Sequence, residues 1–315
     1  MIVVKAGDVN ARVRQKSRKH HFNPSFYTSA WVDECDGRVT AYTRPYDKVV
    51  AKRYHPQAIG YEEDLYTHYG VPDDISDYIE DQFFKPVDTS ASLARDLLLN
   101  GDGASLGEKH RIAWARFVMS MHLRCPFGLR EVSALANNTL QNLLSRPDAE
   151  YDAFRKAEDP STLYQYMQRH EPHILDNFHK TILPGLIDHE GIGSHIINMR
   201  WHVVEVIKAR HTLLTCDRPF LTSSGLKDAK CILTVPISPT KLFLATNVEQ
   251  QAQTVLQMQH EELVRRVNRD VVARAVDIVI GNNDAQLRFV ENHLRKKKQP
   301  PAPGPVGKGQ PNCPE

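Results

Sequence analysis

The spacing of apolar residues changes near residue 200, and this change limits the folds that the chain can adopt. Before it, three segments repeat apolar side chains at helical spacing, at residues 108–123, 129–145 and 161–183. After it, four short β-rich segments are separated by turns, at residues 201–206, 211–215, 231–235 and 242–246. A strand pair at residues 39–54 precedes them all. This order of elements predicts an α+β fold with a mainly antiparallel sheet packed with several helices.

Further helices are predicted around these segments. Residues 74–84 are predicted to be helical, and a long amphipathic helix is predicted over residues 249–280. Gly281 and the two asparagines after it have the composition of a helix C-terminus. A last short helix is predicted at residues 284–294. Pro172 favours a break in the third of the helical segments named above, because proline interrupts a helix.

Composition divides the chain into three parts. Residues 1–17 form a basic N-terminal arm that is predicted to be flexible, and residues 18–294 are predicted to form a single globular α+β domain. Residues 295–315 are rich in lysine, proline and glycine and can bury little apolar surface. This basic tail is therefore predicted to be disordered.

Both ends of the chain are basic, although its net charge is only +2. Residues 1–20 carry six basic side chains against one acidic side chain, and residues 295–315 carry five against one. These ends could bind nucleic acid or an acidic partner through their positive charge. The alternative is that they are solubilising tails. The sequence leaves the oligomeric state open.

The composition is that of a soluble protein, since 41% of the residues are hydrophobic and 25% are charged. No apolar run reaches the ~20 residues that a membrane span needs, so no membrane is predicted as a partner. Residues 1–5 lack the basic-then-apolar order of a signal peptide. Five widely spaced cysteines without a C-x-x-C pair indicate reduced thiols. The chain is therefore predicted to be cytoplasmic.

The segment 213–220, Leu-Leu-Thr-Cys-Asp-Arg-Pro-Phe, places a carboxylate at the end of an apolar strand. Asp217 opens a turn that Pro219 makes rigid, and loops at strand ends commonly carry functional groups. Neighbouring strand residues point to opposite faces, so an exposed Asp217 leaves Cys216 buried. Cys216 is accordingly predicted to be a core thiol rather than a nucleophile.

Two basic side chains could join Asp217 in one cleft. His21 is held by the rigid backbone at Pro24 and could act as a general base or anion ligand; the alternative is a packed, hydrogen-bonded histidine. Arg124 ends the nearly apolar helix predicted above. Its guanidinium could bind phosphate or carboxylate, or form a structural ion pair with Asp217 or Glu80.

Four segments in this order resemble one family. They are a His-x-x-Pro motif with aromatics at residues 21–27, residues 63–66, the Arg-Cys-Pro at residues 124–126, and Trp201 leading to residues 215–220 and 236–239. Residues 18 to 290 are similar to the uncharacterised, mainly bacterial domain-of-unknown-function family 4238. The chain departs from the family at Cys216, where serine is more frequent, and at Asn23, where an apolar residue is usual. The resemblance implies a bacterial protein, and it supplies no activity, cofactor or catalytic residue.

A dense acidic region at residues 62–81 contains two carboxylates close to these motifs, Glu63 and Glu80. Paired carboxylates can hold a divalent metal or share acid and base roles. The alternative is a solvated helix face. Asp73 or Asp74 would then be its N-cap.

Histidine spacing leaves metal binding and cofactors unassigned. His170, His173, Asp176 and His179 have the composition of a metal site. Steps of three residues, however, rotate around a helix by ~60° each, and Pro172 disturbs the helix itself. No H-E-x-x-H motif is present. The metal and the cofactor therefore stay unknown.

These residues together predict a hydrolase or nuclease-type enzyme with a polar cleft formed by His21, Glu63, Arg124 and Asp217. His21 or Glu63 would act as the general base, and Arg124 would bind an anionic group. Asp217 would orient one of them or hold a metal. Two alternatives remain: a non-catalytic module that binds nucleic acid or protein, with the same residues as a structural network, and a small-molecule sensor.

Overall fold

The computed structural model describes residues 18–101, 103 and 106–295. The strands are β1 (Lys19–His21), β2 (Val39–Thr43), β3 (Val50–Tyr54), β4 (Tyr61–Glu63), β5 (Arg200–Glu205), β6 (Thr215–Cys216), β7 (Leu221–Thr222), β8 (Ile232–Pro236), β9 (Lys241–Thr246) and β10 (Val279–Gly281). The helices are α1 (Ser25–Thr28), α2 (Lys85–Asn100), α3 (Glu108–Leu123), α4 (Pro126–Leu144), α5 (Ala149–Phe154), α6 (Leu163–His170), α7 (Pro172–Thr181), α8 (Leu183–Ile187), α9 (Glu190–Asn198), α10 (Glu249–Leu256), α11 (His260–Arg274) and α12 (Leu287–His293). The predicted arm at residues 1–17 lies outside the described residues, as does the predicted tail after Arg295.

The predicted α+β class is confirmed. β1 pairs with β4, and two four-stranded sheets have the orders β3-β2-β10-β6 and β5-β9-β8-β7. Every pairing between these strands is antiparallel. None of the described helices is both long and apolar enough to cross a bilayer.

The chain, predicted as one domain over residues 18–294, divides into two compact units. Unit 1 contains the described residues up to Thr28 and Pro56–Met199, and unit 2 contains Ser29–His55 and the described residues from Arg200 onward. The chain therefore enters unit 2 for one hairpin, returns to unit 1 for the helices, and enters unit 2 again.

Unit 1 is mostly helical, and its central helix is the one that the sequence predicts best. α3 coincides with the predicted segment 108–123 and buries Trp114, Phe117 and Met121 among other side chains. Such a helix has few polar faces and packs on most sides, and α2 is one of its neighbours. The segment predicted over residues 161–183 is divided at Pro172 into α6 and α7, as expected.

A π-helical segment, Ile79–Phe84, runs directly into α2. There the backbone N–H of Lys85 donates to the carbonyl of Glu80, five residues earlier. Pro86 accounts for the wider turn, because proline has no N–H to donate and its ring crowds the carbonyl four residues before it. The prediction of a helix at residues 74–84 was therefore only partly right, and it missed α2.

Unit 2 encloses one apolar core between its two four-stranded sheets and its helices. Tyr42 of β2, Leu244 of β9, Val271 of α11, Val279 of β10 and Val290 of α12 are fully buried members of this core. The strand pair predicted at residues 39–54 is confirmed as β2 and β3. The β-rich segments predicted at residues 201–206, 231–235 and 242–246 are confirmed as β5, β8 and β9. The segment predicted at residues 211–215 overlaps β6 at Thr215 alone.

The prediction of one long helix over residues 249–280 is wrong. The structure has two helices there, α10 and α11, followed by the strand β10. β10 pairs with β2 on one side and β6 on the other, so its partners are distant in sequence. Tertiary pairing of this kind overrides local propensity in a short apolar segment. Gly281 accordingly ends a strand rather than a helix.

Candidate functional site

Arg124 is completely buried at the C-terminal end of α3. Its Nη1 donates to Asp88 Oδ1 at 2.6 Å and its Nη2 to Asp88 Oδ2 at 3.0 Å. Nη2 also donates to the backbone oxygen of His21 at 2.7 Å, and the guanidinium carbon lies 4.5 Å from the centre of the Phe84 ring. This one side chain therefore links α3, α2 and the end of β1.

The charge of Arg124 is retained because Asp88 compensates for its burial. Burial alone would lower the pKa of the guanidinium, but the Asp88 carboxylate outweighs burial and raises that pKa above its ordinary value. A bidentate contact of this kind is the strongest common form of a carboxylate–guanidinium pair. Tyr66 closes the other side by donating its hydroxyl to the backbone oxygen of Arg124 at 2.6 Å.

An open pocket of about 620 Å³ lies over this pair in unit 1. Its polar lining comes from β1, α1, the π-helical segment and α2, and consists of His21, Ser25, Glu80, Lys85, Asp88, Thr89 and Ser92. Pro24, Phe26 and Leu93 complete the wall. The volume is within the range of pockets that bind small molecules. We call it the unit 1 pocket.

Glu80 carries the most perturbed carboxyl group of this pocket. Burial raises its pKa from 4.5 to about 7, Arg124 opposes this increase, and Asp88 adds to it. Its Oε2 atom is buried and has no hydrogen-bond partner among the described residues. The carboxyl therefore changes its protonation state close to neutral pH, while it faces a pocket open to solvent.

His21 ends β1 at the rim of the same pocket. Burial lowers the pKa of its imidazole, the hydrogen bond to Gln57 raises it, and Arg124 lowers it further. The Nε2 atom lies 3.3 Å from the backbone oxygen of Gln57. Since a carbonyl only accepts, this contact requires the proton on Nε2 and leaves Nδ1 as the acceptor of the neutral ring.

The neighbouring histidine has a structural role. His20 is buried, its Nδ1 accepts the backbone N–H of Tyr66 at 3.0 Å, and its Nε2 lies 3.8 Å from Asp77 Oδ1. Alternation along β1 therefore turns His20 toward the interior and leaves His21 at the pocket. Of the two adjacent histidines, only His21 lines the pocket.

Glu63, the predicted alternative base, is not among the residues that line the unit 1 pocket. It lies in β4 opposite Lys19, its side chain is 60% exposed, and its carboxylate is 3.4 Å from Arg18. Asp64 next to it has a left-handed backbone and accepts the Arg18 guanidinium as well. The structure thus brings His21 and Arg124 together and places Glu63 in a surface ion pair.

Asp217 belongs to unit 2 and follows β6, at the strand end that the sequence predicts. It is 3% exposed. Its carboxylate accepts the backbone N–H groups of Val276 at 3.0 Å, Asp277 at 2.6 Å and, more weakly, Ile278 at 3.4 Å. Burial raises its pKa to about 6 although these amides oppose the increase. Its oxygens therefore hold the chain just before β10. The adjacent Cys216 is buried as predicted, but the exposure of Asp217 from which this was argued is wrong, since both residues are buried.

Asp88 is the residue that sequence reasoning missed. A buried arginine needs an acidic partner, and the sequence offered Asp217 or Glu80 for that role. The structure places Asp88 there instead. Asp88 could have been found from two facts: buried Arg124 needs an acidic partner, and α2 packs against α3. The second fact was not accessible, because the sequence analysis did not predict α2.

No group of three or more His, Cys, Asp or Glu side chains suited to a metal ion occurs in the part of the chain that the structure describes. The histidines at residues 170–179 are divided between α6 and α7. His173 Nδ1 lies 3.6 Å from Glu171 Oε2. The metal stays unassigned.

Comparison with known proteins gives a family without an activity. A family model described as "Protein of unknown function (DUF4238)" matches residues 19–285. No curated protein and no solved structure matches the chain. Any statement about function therefore depends on the geometry of the pockets.

Proposed function

The chain belongs to the DUF4238 family, whose description names no activity, and we propose that unit 1 is a hydrolase that uses general acid–base catalysis in the unit 1 pocket. Glu80 would be the general acid and His21 the general base. Arg124 and Asp88 would be positioning residues beneath them. The sequence hypothesis of a hydrolase is retained, with Glu80 and Asp88 added to its site.

The observation that carries this proposal is the Glu80 carboxyl in the pocket lining, whose Oε2 atom is buried without a hydrogen-bond partner among the described residues. A carboxyl group with a pKa of about 7 is protonated in about half of the molecules at neutral pH, so it can give a proton to a leaving group and take it back. Structural carboxylates of ion pairs have the opposite shift. Glu80 also lies on a π-helical turn, a geometry that is frequent at functional sites.

His21 supplies the complementary group. Its lowered pKa leaves the imidazole neutral at pH 7, when Nδ1 can accept a proton from a water molecule. The hydroxide equivalent of that water attacks the substrate, and the proton of Glu80 goes to the leaving group. Asp88 in the pocket favours the imidazolium that forms on His21, because a nearby carboxylate raises the pKa of that ring.

Arg124 acts on this chemistry without touching substrate. It is fully buried and its donors are directed at Asp88 and the backbone of His21. These contacts fix the position of the Asp88 carboxylate and of the strand end that carries the imidazole. We therefore assign it a positioning role instead of the anion-binding role that the sequence suggests.

Replacing Glu80 with glutamine is expected to lower kcat/KM by about a hundredfold, because the amide has the same shape but gives no proton. The assay uses p-nitrophenyl phosphate, bis(p-nitrophenyl) phosphate, p-nitrophenyl acetate and p-nitrophenyl glycosides. Wild-type activity should follow a bell-shaped pH profile, and its alkaline limb near pH 7 should disappear in the variant.

Glu63→Gln is the matched comparison, since it removes an exposed carboxylate of the same unit outside the pocket. We expect its kcat/KM to stay within about twofold of the wild type, the size of effect ordinary for a surface charge. A larger loss in Glu63→Gln than in Glu80→Gln would return the base role to Glu63. No turnover of any of the four substrate classes would count against a hydrolase.

The folded protein should lose stability as the pH rises through the pKa of Glu80. A raised pKa means that folding favours the neutral carboxyl, so this contribution is complete below pH 4.5 and is lost as the pH passes 7. The free energy of unfolding should change by up to about 3 kcal/mol relative to Glu80→Gln over this interval. Urea unfolding of both proteins at four pH values measures it. If the free energies of unfolding of the wild type and Glu80→Gln changed equally with pH, the raised pKa of Glu80 would be contradicted.

A further inference from the structure

Unit 2 contains a second open pocket, of about 580 Å³, which we call the unit 2 pocket. Its wall is built by the segment after β6, by β7 and β8, and by α10 and α11. The charged lining residues are Arg218, Arg266, Asp270, Arg274 and Arg295. Four guanidinium groups and one carboxylate give the lining an excess of positive charge, although Arg266 also pairs with Glu262 outside the lining.

The helical periodicity of α11 brings three of these residues to one side of the helix. Arg266, Asp270 and Arg274 are spaced by four, so they form a stripe along one face of the helix. Leu263 and Val267 on the same face line the pocket as well. The helix therefore fixes the positions from which these three side chains reach the pocket.

The turn after β6 supplies the guanidinium of Arg218. Asp217 is directed at the backbone amides before β10, and the next residue lines the pocket. The backbone N–H of Arg218 also donates to Cys216 Sγ at 3.3 Å. The Asp-Arg-Pro motif therefore combines a carboxylate that fixes the loop with an arginine presented to the pocket.

A buried amide holds α11 against the segment that leads to this turn. Asn268 is 1% exposed, its Oδ1 accepts the backbone N–H of Leu214 at 2.9 Å, and its Nδ2 donates to the backbone oxygen of Thr212 at 2.8 Å. Gln286 Oε1 accepts a further bond from the same Nδ2 at 2.9 Å. This network fixes the helix that carries two of the arginines relative to the strand that precedes the third.

The rest of the lining suits a ligand with two chemical parts. Hydroxyl groups come from Thr222, Ser223 and Thr234. The rest of the wall is apolar and consists of Leu221, Ile232, Val255, Met258, Leu263 and Val267. Guanidinium and hydroxyl groups bind anionic oxygens, and the apolar side chains can cover a hydrocarbon or aromatic body.

We propose that the unit 2 pocket binds a phosphorylated small molecule with an apolar body. A phosphate ester carries about two negative charges and three acceptor oxygens, which fits several guanidinium groups better than a single carboxylate does. The pocket volume is that of a small-molecule site. This site lies in unit 2 and is independent of the hydrolase proposal for unit 1.

Two probes test the ligand class by isothermal titration calorimetry with the full chain. Inorganic phosphate tests the anion alone, and phenyl phosphate adds an aromatic body. We expect both to bind, and phenyl phosphate to bind about tenfold more tightly because its ring covers the apolar wall. Equal affinities would overturn the assignment of the apolar body, and no binding of either probe would overturn the site.

Arg266→Gln and Arg265→Gln form a matched pair of variants. Both arginines are exposed neighbours on α11 and both bind Glu262, at 2.5 Å and 3.0 Å respectively, but only Arg266 lines the pocket. Arg266→Gln should weaken phenyl phosphate binding by at least about tenfold, since a charged hydrogen bond is lost. Arg265→Gln should leave it nearly unchanged. Equal losses would mean only general attraction by surface charge.

Asp270→Asn is expected to change the affinity for phenyl phosphate in the opposite direction to Arg266→Gln. Asp270 is the one carboxylate among the charged residues that line the described pocket. Its removal should tighten phenyl phosphate binding by about threefold, because a like charge near the anion is lost. Unchanged or weaker binding would contradict the placement of the phosphate. Displacement of phenyl phosphate by single-stranded RNA with a steep salt dependence would replace the small-molecule proposal with a nucleic-acid site.

Discussion

Arg124→Met is expected to lower the free energy of unfolding by about 3–5 kcal/mol. The methionine fills much of the space of the arginine stem, but it leaves the Asp88 carboxylate without its bidentate donor and the His21 carbonyl without a bond. Removing one partner of a buried ion pair costs up to this much, since the Asp88 carboxylate left behind is only 21% exposed in the intact pair. Urea unfolding monitored by circular dichroism measures the change.

The comparison variant is Arg116→Met, which breaks a bidentate pair of the same chemistry at the surface. Arg116 donates to Asp188 at 2.6 and 2.7 Å, and both side chains are more than a third exposed. Its loss should cost at most about 1 kcal/mol. Adding Asp88→Asn to Arg124→Met should recover part of the stability, since the lone charge is removed. Equal costs for Arg124→Met and Arg116→Met would show that the buried pair has no special weight.

Asp217→Ala is expected to destabilise the protein by about 3–5 kcal/mol at pH 7.5. The substitution leaves three backbone amides, at residues 276–278, without their acceptor. An unpaired donor costs about 1–3 kcal/mol when it is buried, as at Ile278, and less at the partly buried Val276 and Asp277. Hydrogen exchange at these three amides should become faster. Asp217→Asn retains one acceptor oxygen and should lie between the wild type and the alanine variant.

Asp148→Ala is the control for this second prediction. Asp148 caps α5 by accepting the backbone N–H groups of Glu150 and Tyr151 at 2.9 and 3.1 Å, in an exposed helix without buried residues. Water can replace that acceptor, so the expected cost is only about 1 kcal/mol. Asp217→Ala with a cost no greater than this would mean that its carboxylate is dispensable to the strand end.

The sequence predicts an element well where one local pattern decides its structure. The sequence predicts α3 and the hairpin of β2 and β3 because a nearly apolar helix and two β-rich segments around a turn are recognisable alone. For β10 the sequence predicts a helix, because its apolar residues fit a continuation of the helical pattern that precedes them. Its structure depends on pairing with β2 and β6, which are far away in the chain.

The candidate site shows the same limit. The structure places His21 and Arg124 of the predicted site, together with Glu80, around one pocket or beneath it, whereas Glu63 lies in a surface ion pair and Asp217 in unit 2. Residue chemistry was enough to single out His21 and Arg124. It was not enough to find Asp88, because the choice among many carboxylates depends on how α2 packs along α3. A helix containing Pro86 near its start, with a widened turn before it, gave no simple period to recognise.

The widened turn sets the angle between Glu80 and Asp88 around the helix axis, and this makes the turn part of the site itself. Both side chains belong to one continuous helical run, and the π-helical turn accommodates an additional residue within it. The same residues wound as a regular α-helix would rotate Glu80 by about 100° relative to Asp88, because no wide turn would absorb the additional residue. The carboxyl group would then leave the pocket with every side chain of the site still present. Residue identity at each position is therefore insufficient to preserve this arrangement, which also requires the wide turn.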